Sequence, residues 1–145
     1  MRILGLLLVL LLGISGCSAR QFYIDHGYVR LAAAPGRPAV AYFTLHGGST
    51  DTTLVAVHSE FSLRTELHQS MTSGGMAAMK PLDQVALPAG GKVAFKPGGM
   101  HVMLFGLNPV IKPGKTMTLQ FTFADGNRYD YEALVIAPGD PAPKF

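Results

Sequence analysis

The chain has 145 residues, with 12 Lys+Arg against 9 Asp+Glu, a formal net charge of +3 and a single cysteine. That length suits one domain rather than two. The charges are scattered, with no basic run interleaved with aromatics, so nucleic-acid binding has no support. One cysteine excludes an internal disulfide and a CxxC redox pair.

The first stretch is read as a leader. "MR" is a minimal positive start, and "ILGLLLVLLLGI" (3–14) is an apolar run too short to span a bilayer comfortably but normal for a signal-peptide core. "ISGC" (14–17) follows and resembles a bacterial lipobox, with cleavage before Cys17 and lipid on its sulfur, although Ile14 stands where Leu is usual. The alternatives are a conventional signal cut near Ala19 or an uncleaved anchor. Each reading exports the remainder. With Cys17 lipidated, no thiolate is left to ligate a metal, and a blue-copper site is excluded. Any transition-metal binding must then rest on His, Met or carboxylates. The expected organisation is a lipoprotein signal peptide at 1–16, a lipid-anchored linker at 17–26, a β-rich domain at 27–137 and a Pro-rich tail at 138–145.

Past the leader, short apolar or alternating stretches are separated by Gly, Pro, Asn and Asp. Strands are predicted at about 27–32, 38–46, 53–58, 62–68, 92–96, 101–106, 115–124 and 128–136. "TMTLQFTF" alternates cleanly, with Met117, Leu119, Phe121 and Phe123 on one face. "DGN" (125–127) reads as a hairpin turn, and "LPAGGK" (87–92) and "KPGG" (96–99) as further breaks. No helical period survives these breaks. The pattern implies an all-β fold, a single antiparallel β-sandwich with Greek-key, immunoglobulin-like connections. "APGDPAPKF" at the end reads as extended and unpacked.

The methionines are unevenly placed. Met71, Met76, Met79, Met100 and Met103 fall in one window, bracketed by His68 and His101, while Met117 lies on the apolar face of another strand. Methionine is a minor residue in strands, where β-branched side chains fit the pleat better, so the clustering asks for a cause beyond packing. His101 and Met103 are i, i+2 on a strand and project from one face, about 6–7 Å apart. His68 ends another predicted strand. "MTSGGMAA" (71–78) reads as a glycine-containing excursion that returns Met79 towards His68. His68, Met79, His101 and Met103 can therefore converge. Two imidazoles and two thioethers form a soft, neutral donor set that suits Cu(I) and binds Zn(II), Mg(II) or Ca(II) poorly.

The spacing His68–x10–Met79–x21–His101–x–Met103 resembles the H(M)x10Mx21HxM motif of the PCu(A)C family of periplasmic copper chaperones. The flanks "AYFTLHGGS", "ELHQS", "GGMAAMKPLDQVALPAGGKVAFKPGGMHVMLFGL" and "FTFADG" agree, so the resemblance covers about 28–136. It implies a cupredoxin-like sandwich holding one Cu(I) near its surface. It also implies delivery to the copper A centre of cytochrome c oxidase, with subunit II or a Sco-type thiol protein as partner. His46 stands where the family commonly has Asn, and Gln69 where Met or an acidic residue is frequent. Neither is one of the four motif positions.

Other residues carry less. Met71, Met76 and Met100 are candidates for auxiliary soft donors, a water-excluding collar or a docking surface. His26, His46 and His58 have no partner at metal-like spacing and read as surface or structural. Leu104 and Phe105 read as core. Glu66, two residues before His68, can orient an imidazole as an acceptor or simply remain solvated. No nucleophile elbow, paired carboxylates or phosphate loop supports an enzyme. The leading expectation is an exported, membrane-anchored Cu(I) metallochaperone. Its rivals are a copper-sequestering or resistance lipoprotein and a metal-free β-sandwich interaction module.

Overall fold

The computed structural model describes residues 18–145; the expected signal peptide and Cys17 lie outside the described residues. Ten strands follow one another: β1 (Tyr23–Arg30), β2 (Ala39–His46), β3 (Thr52–His58), β4 (Arg64–Ser73), β5 (Met76–Leu82), β6 (Val85–Leu87), β7 (Lys92–Phe95), β8 (Met100–Phe105), β9 (Thr116–Phe123) and β10 (Arg128–Ile136). Among the described residues there is no helix.

Alternation builds the core. In β9, Met117, Leu119, Phe121 and Phe123 are buried while the residues between them are not, and β2 buries Ala39, Ala41, Phe43 and Leu45 on one face, with Thr44 of the other face also covered. The strands hydrogen-bond in the order β5-β4-β8-β7-β2-β1-β10-β9-β3-β6, with β8 also pairing with β2. Two pairings, β1–β10 and β7–β8, are parallel. The sheet is therefore continuous and mixed, where the sequence suggested two separate antiparallel layers. It curls so that one face closes on itself. Phe43 of β2 meets Phe121 of β9 edge-on at 4.7 Å between ring centres, although those strands are not neighbours in the sheet.

Four boundaries differ from the sequence expectation. First, β1 starts at Tyr23, inside the stretch read as linker. Its alternation is broken by a register shift between Asp25 and Tyr28, where His26 adopts φ 52°; that bulge hides the period. Second, β4 runs to Ser73 and turns at once into β5, with Gly74 and Gly75 at φ 58° and 80°. Left-handed values at both turn residues suit a two-residue hairpin and favour glycine. This arm stands clear of the core, so it carries no apolar alternation. Third, the three-residue β6 pairs with β3 and is too short to show a period. Fourth, the tail is tied down: Arg30 donates to the Asp140 carbonyl at 3.1 Å, the Asp140 carboxylate accepts from the Ala137 amide at 2.9 Å, and Phe145 meets His26 edge-on at 5.1 Å.

Candidate metal centre

The register of β4, β5 and β8 decides which side chains meet. Residues directly opposite across two strands share a face, and successive residues alternate between faces. Val102 and Leu104 of β8 and Leu67 of β4 point into the core, so His101, Met103 and Phe105 take the outer face with Arg64, Glu66 and His68. The pairs are His68 with His101, Glu66 with Met103 and Arg64 with Phe105. On the far side of β4, Pro81 of β5 stands opposite His68, and Met79 stands opposite Ser70. Met79 is thus a diagonal neighbour of His68, at a spacing of about 7–8 Å that long side chains bridge. The four motif residues lie on one face of three adjacent strands.

The two imidazoles are held through different ring nitrogens. His68 Nε2 lies 2.8 Å from Glu66 Oε2, and His101 Nδ1 lies 3.1 Å from the Gly99 carbonyl oxygen. A carboxylate and a carbonyl only accept, so each of those nitrogens carries the proton. In the neutral rings the opposite nitrogens, His68 Nδ1 and His101 Nε2, then carry lone pairs. Both are buried and lack any hydrogen-bond partner. Such an orphan ordinarily costs about 1–3 kcal/mol; here two occur on neighbouring rings whose centres are 5.9 Å apart and whose planes are tilted by 42°. The Glu66 and Gly99 contacts are those that fix tautomer and ring direction at metal-bound histidines.

The donors differ in exposure. His101 is 4% exposed and Met79 58%, with Met103 half-buried between Glu66 and Val40 of the neighbouring strands. Beside Met79, an open groove of 550 Å³ runs between the hairpin and Gly98. Among the described residues, no group of three or more His, Cys, Asp or Glu is arranged to hold a metal. A metal here would depend on the thioethers, which selects a soft ion.

The remaining candidates fall elsewhere. Met71, Met76 and Met100 stand opposite Ala78, Ser73 and Gln69, on the reverse face from His68 and Met79. Met100 packs against the core, while Met71 and Met76 are exposed. A collar around the four-residue face is therefore not what they form. Leu104 is buried as expected. Phe105 is not: it is half-exposed on the outer face beneath Arg64, whose guanidinium lies 4.2 Å from the ring centre. His46 is structural, bonded to Asp25 at 3.0 Å and stacked on Tyr23 at 4.0 Å. Asp25 also holds His26 at 2.8 Å. Sequence reasoning missed Arg64; its i, i+2, i+4 spacing to Glu66 and His68 was the available signal.

With this geometry in view, the class is clear: the fold is the cupredoxin-like β fold of PCuAC domains. The copper-bound PCuAC domain from PmoF2 matches 83% of this chain and 97% of its own, with a TM-score of 0.68 at 20% identity. The Cu(I) form of DR1885 from Deinococcus radiodurans matches 86% of this chain and 83% of its own, with a TM-score of 0.62 at 27% identity. The chain itself belongs to the family described as "Putative lipoprotein LpqE-like", which matches residues 22–135. A relative, "Putative lipoprotein Lxx21020" of Leifsonia xyli subsp. xyli (strain CTCB07), is 26% identical over 132 residues, covering 81% of this chain and 79% of its own.

Proposed function

We propose that this protein is an exported copper carrier, anchored to the membrane by lipid on Cys17, that holds one Cu(I) with His68 Nδ1, His101 Nε2 and the sulfurs of Met79 and Met103. The observation that carries the reading is the pair of buried, partnerless imidazole nitrogens on His68 and His101, cross-strand neighbours on β4 and β8. The likeness to a Cu(I)-bound structure supports the choice of metal. All four donors are neutral and two are weak thioethers, so an incoming ligand can displace them one at a time without charge separation. Release by ligand exchange follows. The recipient is a copper-receiving protein, either the copper A subunit of cytochrome c oxidase or a Sco-type thiol protein.

The test is a Cu(I) competition titration of the full-length protein against a chromophoric chelator, repeated for His101→Ala, Met103→Ala and Met76→Ala. One Cu(I) per chain is expected, lost in the first two variants and kept in the third. Absence of stoichiometric binding, or equal losses in all three variants, refutes the site. Transfer from the loaded protein to an apo oxidase subunit domain then tests delivery.

A further inference from the structure

Arg64, Glu66 and His68 sit at alternate positions of β4 and share its outer face. Glu66 is held at both ends: Oε1 forms an ion pair with Arg64 Nε at 3.1 Å, and Oε2 accepts from His68 Nε2 at 2.8 Å. Arg64 is in turn seated on the ring of Phe105, 4.2 Å from its centre, which restricts an otherwise exposed side chain.

A carboxylate this close to two histidines is a hazard for a soft-metal site. Two imidazoles and a carboxylate oxygen make a donor set that takes Zn(II) or Cu(II). Glu66 occupies the next rung on the same face as the His68–His101 pair, two residues along, yet these three side chains are not arranged to hold a metal. The carboxylate is drawn along its own strand, onto the His68 nitrogen that faces away from the orphaned one. We propose that Arg64 is a selectivity residue. It withholds Glu66 from the metal and fixes it as a hydrogen-bond acceptor, leaving two nitrogens and two thioethers, and so favours Cu(I) over divalent ions. This rests on the Cu(I) site proposed above.

An exposed Arg–Glu pair contributes little to fold stability, so its loss is read in metal discrimination. In the full-length protein, Arg64→Leu should raise the ratio of Zn(II) to Cu(I) affinity by about 10-fold, the scale on which partners of metal ligands act. Arg64→Leu/Glu66→Gln should return the ratio to the wild-type value, and Arg64→Lys should stay closer to wild type than Arg64→Leu. An unchanged ratio in Arg64→Leu, or a gain that survives in the double variant, overturns the proposal. A second readout needs no metal. Nitrogen NMR of the apo protein should find His68 protonated at Nε2 in the wild type and a mixture of tautomers in Arg64→Leu. An unaltered tautomer in that variant also overturns the proposal, whereas failure of the wild type to bind Cu(I) counts against the carrier reading and leaves the tautomer result standing.

Discussion

His68 and His101 are direct cross-strand partners, their ring centres 5.9 Å apart, each with one buried and unbonded nitrogen. Because the pair is set by backbone register, either ring can be removed without shifting the other. His68→Ala and His101→Ala should each lower Cu(I) affinity by more than the roughly 10–100-fold typical for losing an outer partner of a ligand, as read by chelator competition. A loss below that range for both variants would separate the rings from the metal.

The two faces of the β4–β5 hairpin provide an internal control. Met79 shares the face of His68, whereas Met76 and Met71 occupy the reverse. Met79→Ala should weaken Cu(I) binding, while Met76→Ala and Met71→Ala should leave it near wild type. All three side chains are exposed, so unfolding midpoints should barely move. Sulfur absorption spectroscopy of the loaded protein should show fewer Cu–S contacts only in Met79→Ala.

Gly75, at φ 80°, turns the arm that carries Met79. An L-residue there costs about 1–2 kcal/mol. Since the arm is outside the core, Gly75→Ala should leave global unfolding nearly unchanged and raise amide exchange within 71–79. Cu(I) affinity should fall with it, because Met79 loses its fixed approach.

Phe43 is 1% exposed and joins the two halves of the curled sheet, stacked on Phe95 at 4.3 Å and edge-on to Phe121 at 4.7 Å. Phe43→Ala should cost about 3–5 kcal/mol of stability in urea unfolding.

Asp25 provides the pH test. Burial pushes its carboxyl up, but hydrogen bonds from His26 and His46, and their charges, outweigh burial and hold it below its ordinary value of 3.8. A carboxyl lowered on folding stabilises above its unfolded value, and that contribution is lost as pH falls through the folded one. Asp25→Asn should therefore be less stable than wild type at pH 6, with the gap closing below pH about 3.8. A gap that stays constant into acid would deny Asp25 this role.

Much of this was legible in the chain. β2 and β9 were readable because each has one face in the core and one largely outside, so burial is written as alternation. The motif spacing placed His101 and Met103 on one face for the same reason. The β4–β5 arm was not readable by that rule, since almost nothing in it is buried; the Gly-Gly turn was its only local mark. Glu66 was visible as a neighbour of His68 but not as a bonded partner, because solvated and hydrogen-bonded carboxylates look alike in sequence. Arg64 and the Asp25–His46 contact depend on rotamers and a bulge, which leave no period to detect.

The gradient from a deeply seated His101 to an outlying Met79 has a directional consequence. A ligand arriving from solution meets the thioether on the projecting arm first and the enclosed imidazole last. On the proposed carrier reading, unloading would start at the tip and finish at the wall, with the acceptor approaching from the hairpin side.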